Sequence, residues 1–209
     1  MSRFALVLLA TLVSCSPGQN GEPELVAIDV LLDPEPSMAG FSVAANERLR
    51  ENYPAGFALG AGHAPHITVL QRFVRADELG EVAAAVEEVT RRLDATRLDL
   101  TATGYYYHPH EALGLAGITV APTPELLAFQ AEIIVAVQPF SVEDGTGAAF
   151  VQNPDGIPIS PSTVDNMNAF VPRSTGRNYD PHITLGLAEP PFLDSLLAEP
   201  FAPIPLTAV

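Results

Sequence analysis

Pro65-His66-Ile67-Thr68-Val69-Leu70 and Pro181-His182-Ile183-Thr184-Leu185 are two short apolar runs that open on the same tetrapeptide, Pro-His-Ile-Thr, in a chain of 209 residues. Each run is rich in β-branched residues and reads as a strand. Side chains alternate faces along a strand. His66 and Thr68 therefore share one face and Ile67 and Val69 the other, as do His182 and Thr184 against Ile183 and Leu185. Each motif carries an imidazole and a hydroxyl about 7 Å apart on its polar side. If the two strands lie side by side, two imidazoles and two hydroxyls converge on one groove. A lone His-x-Thr would be an ordinary satisfied strand pair. The shared Pro before and Ile between make coincidence a poor explanation of two.

Cleavage of a phosphodiester needs a base on the entering oxygen, an acid on the leaving oxygen and donors for the non-bridging oxygens. Histidine suits both proton-transfer roles, because its ordinary pKa of about 6.5 allows one ring to be neutral and another protonated near neutral pH. The threonine hydroxyls supply donors, and the chemistry calls for no metal and no cofactor.

Working outward, residues 25–32 form an apolar run between Pro23 and Pro34 and predict a first strand. Residues 37–53 predict a helix closed by Pro54. Residues 77–93 predict the clearest helix, with Leu79, Val82, Val86, Val89 and Leu93 spaced three or four apart and Asp77 able to cap it. Strands are expected near 97–106 and 112–120, and a helix from Pro124 to Val137. Residues 138–177 carry five Pro and four Gly and read as a long lid or excursion, with a short helical candidate at 162–170. Strand character returns at 180–185, and a last strand is expected near 204–209.

Hydrophobic residues make up 47% of the chain, the net charge is −15, and its ten basic residues are all Arg. Long nucleic acids are held by dense basic contacts that release counterions, so a large nucleic acid is not an expected partner. A small phosphorylated molecule, which needs one or two donors, fits the composition.

Residues 1–14, with Arg3 ahead of the run from Phe4 to Val13, read as an export signal too short to span a bilayer. Leu12-Val13-Ser14-Cys15 resembles the lipobox of bacterial lipoproteins, which implies lipidation of Cys15. Residues 15–24 would then be a lipidated tether and residues 25–209 a single domain, anchored to the cell envelope by its lipid alone. With one Cys in the chain, no internal disulfide can form. A monomer is expected.

The paired His-x-Thr-hydrophobic motifs, one in each half of the chain, resemble the 2H phosphoesterase superfamily, which includes 2′-5′ RNA ligase-like proteins and cyclic phosphodiesterases. The resemblance implies an α+β, two-lobed fold of pseudo-twofold duplicated antiparallel sheets flanked by helices, with an active-site groove between lobes. It implies catalytic places for His66 and His182, phosphate-binding places for Thr68 and Thr184, and hydrolysis of a small phosphodiester of 2′,3′-cyclic or 2′,5′-linked type. A binding lipoprotein that keeps the fold without turnover is the alternative.

Arg72 would share the face of His66 and Thr68 on an unbroken strand and could reach a phosphate, though a solvated strand-end arginine explains it equally. Arg173 and Arg177 precede the second motif and are candidates for the entrance. Tyr105, Tyr106 and Tyr107 alternate faces, so one face can offer aromatic stacking. His63 lies in a Gly-rich turn and could shape the groove. His108 and His110 make half a metal site, and a metal-dependent hydrolase built on them with His63 or His66 is a third reading.

Overall fold

The computed structural model describes residues 23–93, 98–152 and 156–207. The export signal, Cys15 and most of the tether expected from the sequence lie outside the described residues.

The order of elements is β1 (Leu25–Leu32), α1 (Pro36–Asn52), β2 (Ile67–Arg75), α2 (Leu79–Leu93), β3 (Asp99–His110), β4 (Leu113–Val120), α3 (Pro124–Val137), β5 (Ser141–Val142), α4 (Pro161–Arg173), β6 (His182–Ala188), α5 (Pro190–Leu197) and β7 (Ile204–Thr207). Hydrogen-bonded neighbours follow the order β1-β2-β6-β4-β3-β7, with β5 beside β2. Helices and an antiparallel sheet together make the α+β fold the sequence predicted.

The helices form where periodicity and end chemistry agree. α1 starts on Pro36 and buries Met38, Ser42, Ala45, Asn46 and Leu49 at spacings of three and four. α2 buries Val82, Val86 and Val89; Glu81 lies in its first turn and Arg91 and Arg92 in its last, opposing the helix dipole. Asp77 does not cap it directly, because a 3₁₀ turn at Ala76–Glu78 precedes the helix. The Thr123 hydroxyl accepts the Leu126 N–H at 3.2 Å and the Ser160 hydroxyl accepts that of Thr163 at 3.2 Å, opening α3 and α4.

The chain divides into two compact units, each built of three segments. One takes the chain up to Val30 with Val69–Asp94 and Leu127–Tyr179. Here β5 and α4, both within 138–177, pack onto the rest of the unit. Phe73 on β2 registers with Val142 on β5 and meets Phe150 edge-on at 5.7 Å between centroids. Met167 and Phe170 of α4 are buried, and Asn168 donates to the Gly145 carbonyl at 3.1 Å. At β5 and α4 the segment expected as a lid from its Pro and Gly content is therefore a structural part of this unit.

The other unit takes Leu31–Thr68, Ala95–Leu126 and Asp180–Val209. It holds α1, the entry into β2, and strands β6, β4, β3 and β7. β3 and β4 form a hairpin paired from Ala102↔Val120 to His110↔Leu113, with an irregularity between Ala102 and Gly104. β4 pairs with β6 from Gly114↔Ala188 to Thr119↔His182; a bulge falls where Ala116 faces Gly186 and Gly117 faces Thr184, leaving Leu185 as the extra residue. Ile67, Ile118, Ile183 and Leu185 are fully buried.

Candidate active site

All four motif residues, His66, Thr68, His182 and Thr184, belong to the second unit. Ile67 on β2 and Ile183 on β6 are antiparallel partners. Carried one residue each way, that register sets His66 opposite Thr184 and Thr68 opposite His182. Both isoleucines are buried, whereas the four polar residues are each partly open on the other face. The buried-open alternation of Pro65 to Val69 repeats at Pro181 to Leu185. Imidazoles occupy one diagonal of a rectangle and hydroxyls the other. Ordinary sheet spacings make its sides about 4.8 Å across the strands and 7 Å along them.

The two histidines are held by one device used twice. His66 Nδ1 lies 2.8 Å from the Ala64 carbonyl oxygen, and His182 Nδ1 lies 2.7 Å from that of Asp180. A carbonyl only accepts, so each Nδ1 carries the hydrogen and each Nε2 is left for chemistry. The proline between carbonyl and ring, Pro65 or Pro181, fixes its own φ and so fixes where that carbonyl points. The repeated proline is thereby part of the site.

His182 has a structured border. Thr119 is its partner on β4, and the Tyr106 ring meets it edge-on with centroids 5.4 Å apart. Tyr106 also neighbours the Thr184 hydroxyl. Its phenol is pushed well above its ordinary value, chiefly by burial and then by the Asp180 carboxylate, with the Thr184 hydroxyl opposing. It stays protonated. The three tyrosines alternate as predicted: Tyr105 stacks with Phe41 and meets Phe201 edge-on, Tyr107 donates to Asp194 at 2.8 Å, and Tyr106 alone faces the motif residues.

His66 has different neighbours. The His63 ring lies near-parallel to it, centroids 6.4 Å apart, and Phe57 stacks on the far side of His63 at 4.7 Å. Mutual backbone bonds between Gly60 and His63, 3.0 and 3.1 Å, close the tight turn that holds His63. Burial lowers the His63 pKa, and the charge of His66 lowers it further. Asp33, just past β1, has its carboxyl raised by burial while His66 pulls it down, so the two feel one another's charge.

Among the described residues, no cluster of three or more His, Cys, Asp or Glu side chains is arranged to hold a metal ion. His108 tilts against Tyr106 at 5.1 Å, and His110 ends β3 exposed. Arg72 lies in the first unit, half-buried, its guanidinium lowered by burial and supported by Glu143. Arg173 and Arg177 are exposed in that same unit. Sequence reasoning missed Asp33, Gly117 and Thr119, which no local pattern ties to the motifs.

A comparison with curated proteins returns no match. The model of the 2'-5' RNA ligase superfamily matches residues 34–206, a span that holds both His-x-Thr motifs and every residue placed around them except Asp33. Membership supports phosphodiesterase- or ligase-type activity in general, and with the duplicated motif on paired strands the conclusion is that this chain belongs to the 2'-5' RNA ligase superfamily, of the 2H phosphoesterase type.

Proposed function

We propose that the protein is a phosphodiesterase that hydrolyses a small 2′,3′-cyclic or 2′,5′-linked phosphodiester with His66 and His182 as its proton-transfer pair. The observation that carries this reading is the matched presentation of two Nε2 atoms on one diagonal, each by an Nδ1–H bond to a carbonyl.

A phosphorus atom over the centre of the rectangle has an imidazole on either side, as in-line displacement requires. One histidine takes a proton from water as its oxygen forms a bond to phosphorus. The bond to the leaving oxygen breaks, and the other histidine supplies that oxygen with a proton. Thr68 and Thr184, on the second diagonal, donate to the non-bridging oxygens whose charge grows in the transition state. None of these steps draws on a metal. Ligation is the same path reversed, and water at high concentration drives it towards hydrolysis. The charge of −15 favours a small substrate over a polyanion. Export and a lipid on Cys15 belong to the same proposal and place the reaction in the cell envelope.

The test is turnover of a panel of 2′,3′-cyclic nucleotides and small phosphodiesters by the chain beginning at Ser16, with and without EDTA. Chelator-resistant turnover that disappears in both His66→Ala and His182→Ala supports the reading. Turnover abolished by EDTA would replace it with a metal-dependent hydrolase, and tight capture of a phosphodiester without product would replace it with a binding protein.

A further inference from the structure

The open face of the sheet in the second unit runs on past the motif residues. Beyond the row of Thr184, Gly117 and Tyr106, the next row is Leu187 on β6, Leu115 on β4 and His108 on β3, each the register partner of the next. Leu187 reaches that face because of the bulge. On an unbroken strand the residue in step with Thr184 would be Gly186. Instead Leu185 and Gly186 are buried in succession, and a Cβ on Gly186 would lie 2.9 Å from Asn46 Nδ2 on α1. Gly186 therefore backs onto α1, and Leu187 takes the face of Thr184. Leu187 and Leu115 are each partly open between buried neighbours. With His108 they form a floor three strands wide, about 10 Å between its outer backbones and about 7 Å along the sheet from Thr184. β2 runs antiparallel to β6, so the chain ahead of His66 borders this same end. The His63 ring lies there, 6.4 Å from that of His66, and a Cβ on Gly56 would lie 3.5 Å from the Leu187 carbonyl oxygen. Tyr106, its ring 5.1 Å from that of His108, closes the corner next to Thr184.

We infer that Leu187 is a specificity-determining residue, set by the bulge beside the rectangle of motif residues to carry the base of a nucleoside phosphodiester, with Leu115 beneath the same ring and His108 at its edge. The inference rests on the proposed phosphodiesterase reading and names a part of the substrate that the His-x-Thr motifs leave undefined. A phosphorus atom over the rectangle brings its substituents within one row of this floor. A nucleobase is flat, apolar on its faces and polar at its edges. Its face covers leucine side chains that water otherwise wets, and its edge meets an imidazole, which in the neutral form both donates and accepts. An alkyl chain would cover the leucines but give the imidazole no partner, and a bare sugar would set hydroxyls against an apolar floor. The base contact is remote from the reacting bonds and is the same before and during the reaction, so it falls on KM more than on kcat.

The experiment compares adenosine 2′,3′-cyclic phosphate with ribose 2′,3′-cyclic phosphate, which lacks the base, on the same chain. The wild type is expected to favour the nucleotide by about tenfold in kcat/KM, the lower end of what a pocket contact contributes to discrimination, and to do so through KM. Leu187→Ala is expected to remove most of that preference and His108→Ala part of it, in proteins whose unfolding midpoints show them folded. Leu187→Met, which keeps the apolar volume, is expected to restore it. A wild type that treats the two substrates alike, or a folded Leu187→Ala protein that keeps the full preference, would overturn the inference while leaving the function standing. A higher kcat/KM on the 2,3-cyclic phosphate of 1-hexylglycerol would overturn it too, by giving the floor to a hydrocarbon chain. A wild-type protein that turns over none of the three and binds neither adenosine 2′-phosphate nor inorganic phosphate by calorimetry would overturn the reading beneath it and the inference together.

Discussion

Ile67 and Ile183 face each other across β2 and β6, and this one antiparallel pairing sets the four polar motif residues into a rectangle with like groups on the diagonals. A slip of one residue would turn every side chain of one strand to the opposite face. The buried isoleucines, both fully inaccessible, make that slip costly. The core therefore fixes the register, and the register fixes the chemistry. His66→Ala and His182→Ala should each lower kcat by about 10²–10⁴-fold, the usual worth of a positioned acid or base. The double variant should lose far less than the product of the two, because the groups act as a unit. Losses that multiply in full would mean two independent roles.

The carbonyl partners of His66 and His182 make a spectroscopic prediction that needs no substrate. In the neutral form both rings should carry the hydrogen on Nδ1, against the Ala64 and Asp180 carbonyls 2.8 and 2.7 Å away. Nitrogen chemical shifts of labelled imidazoles read this directly. A neutral ring found with its hydrogen on Nε2 would contradict the geometry for that residue.

Asp33 should limit stability at neutral pH. Its folded pKa is raised above the ordinary 3.8, so between those two values the folded chain binds more protons than the unfolded one. Stability from this group falls as pH rises through that window, and at pH 7 its burial cost is present in full. Asp33→Asn is expected to raise the unfolding midpoint at pH 7 and to lose that advantage as the medium is acidified below 3.8. A lower midpoint at pH 7 would show that the attraction to His66 outweighs burial.

His63 gives the opposite slope. Its folded pKa is depressed below the ordinary 6.5, so between the two the unfolded chain binds more protons, and acidification below 6.5 weakens the fold. His63→Phe keeps an aromatic ring beside Phe57 and removes the titration. It should flatten the acid-side stability profile, by a small amount because the ring is partly in solvent. An unchanged slope would place the acid sensitivity elsewhere.

Much of this was legible in the sequence, for identifiable reasons. β1 is bounded by Pro23 and Pro34, and the motif strands by their own β-branched content. α5 was hidden because Pro190-Pro191 looks like a break, whereas prolines at a helix start cost little. β5 has two residues and no periodicity to detect. Strict alternation failed on β2: Leu70, in step with Thr68, is 1% exposed, so the open face turns apolar before Arg72, whose guanidinium feels the charge of Glu143. Sequence places His66 and Thr68 on one face by counting. It cannot place Tyr106 over Gly117, because that contact depends on the register of three strands at once.

The strand arrangement is itself anchored by a buried side chain. Asn46 on α1 is 1% exposed. Its Nδ2 donates to the Leu185 carbonyl at 2.7 Å and to the Phe57 carbonyl at 3.0 Å, while its Oδ1 accepts the Leu59 N–H at 2.9 Å. One amide thus satisfies the bulge residue after Thr184 and the loop that leads to His63. Asn46→Leu fills the volume but leaves two carbonyls and an N–H without that partner, at about 1–3 kcal/mol for each group that water cannot reach. Asn46→Asp keeps the acceptor and loses the donor, so it should be destabilised through the carbonyls alone, by denaturant titration, with the deficit greatest where the carboxylate is ionised. If Asn46→Leu unfolds at the wild-type midpoint, the bulge is held by the β4–β6 ladder and not by the asparagine. Retained stability with normal kcat would also show that the rectangle of His66, Thr68, His182 and Thr184 depends on the sheet alone.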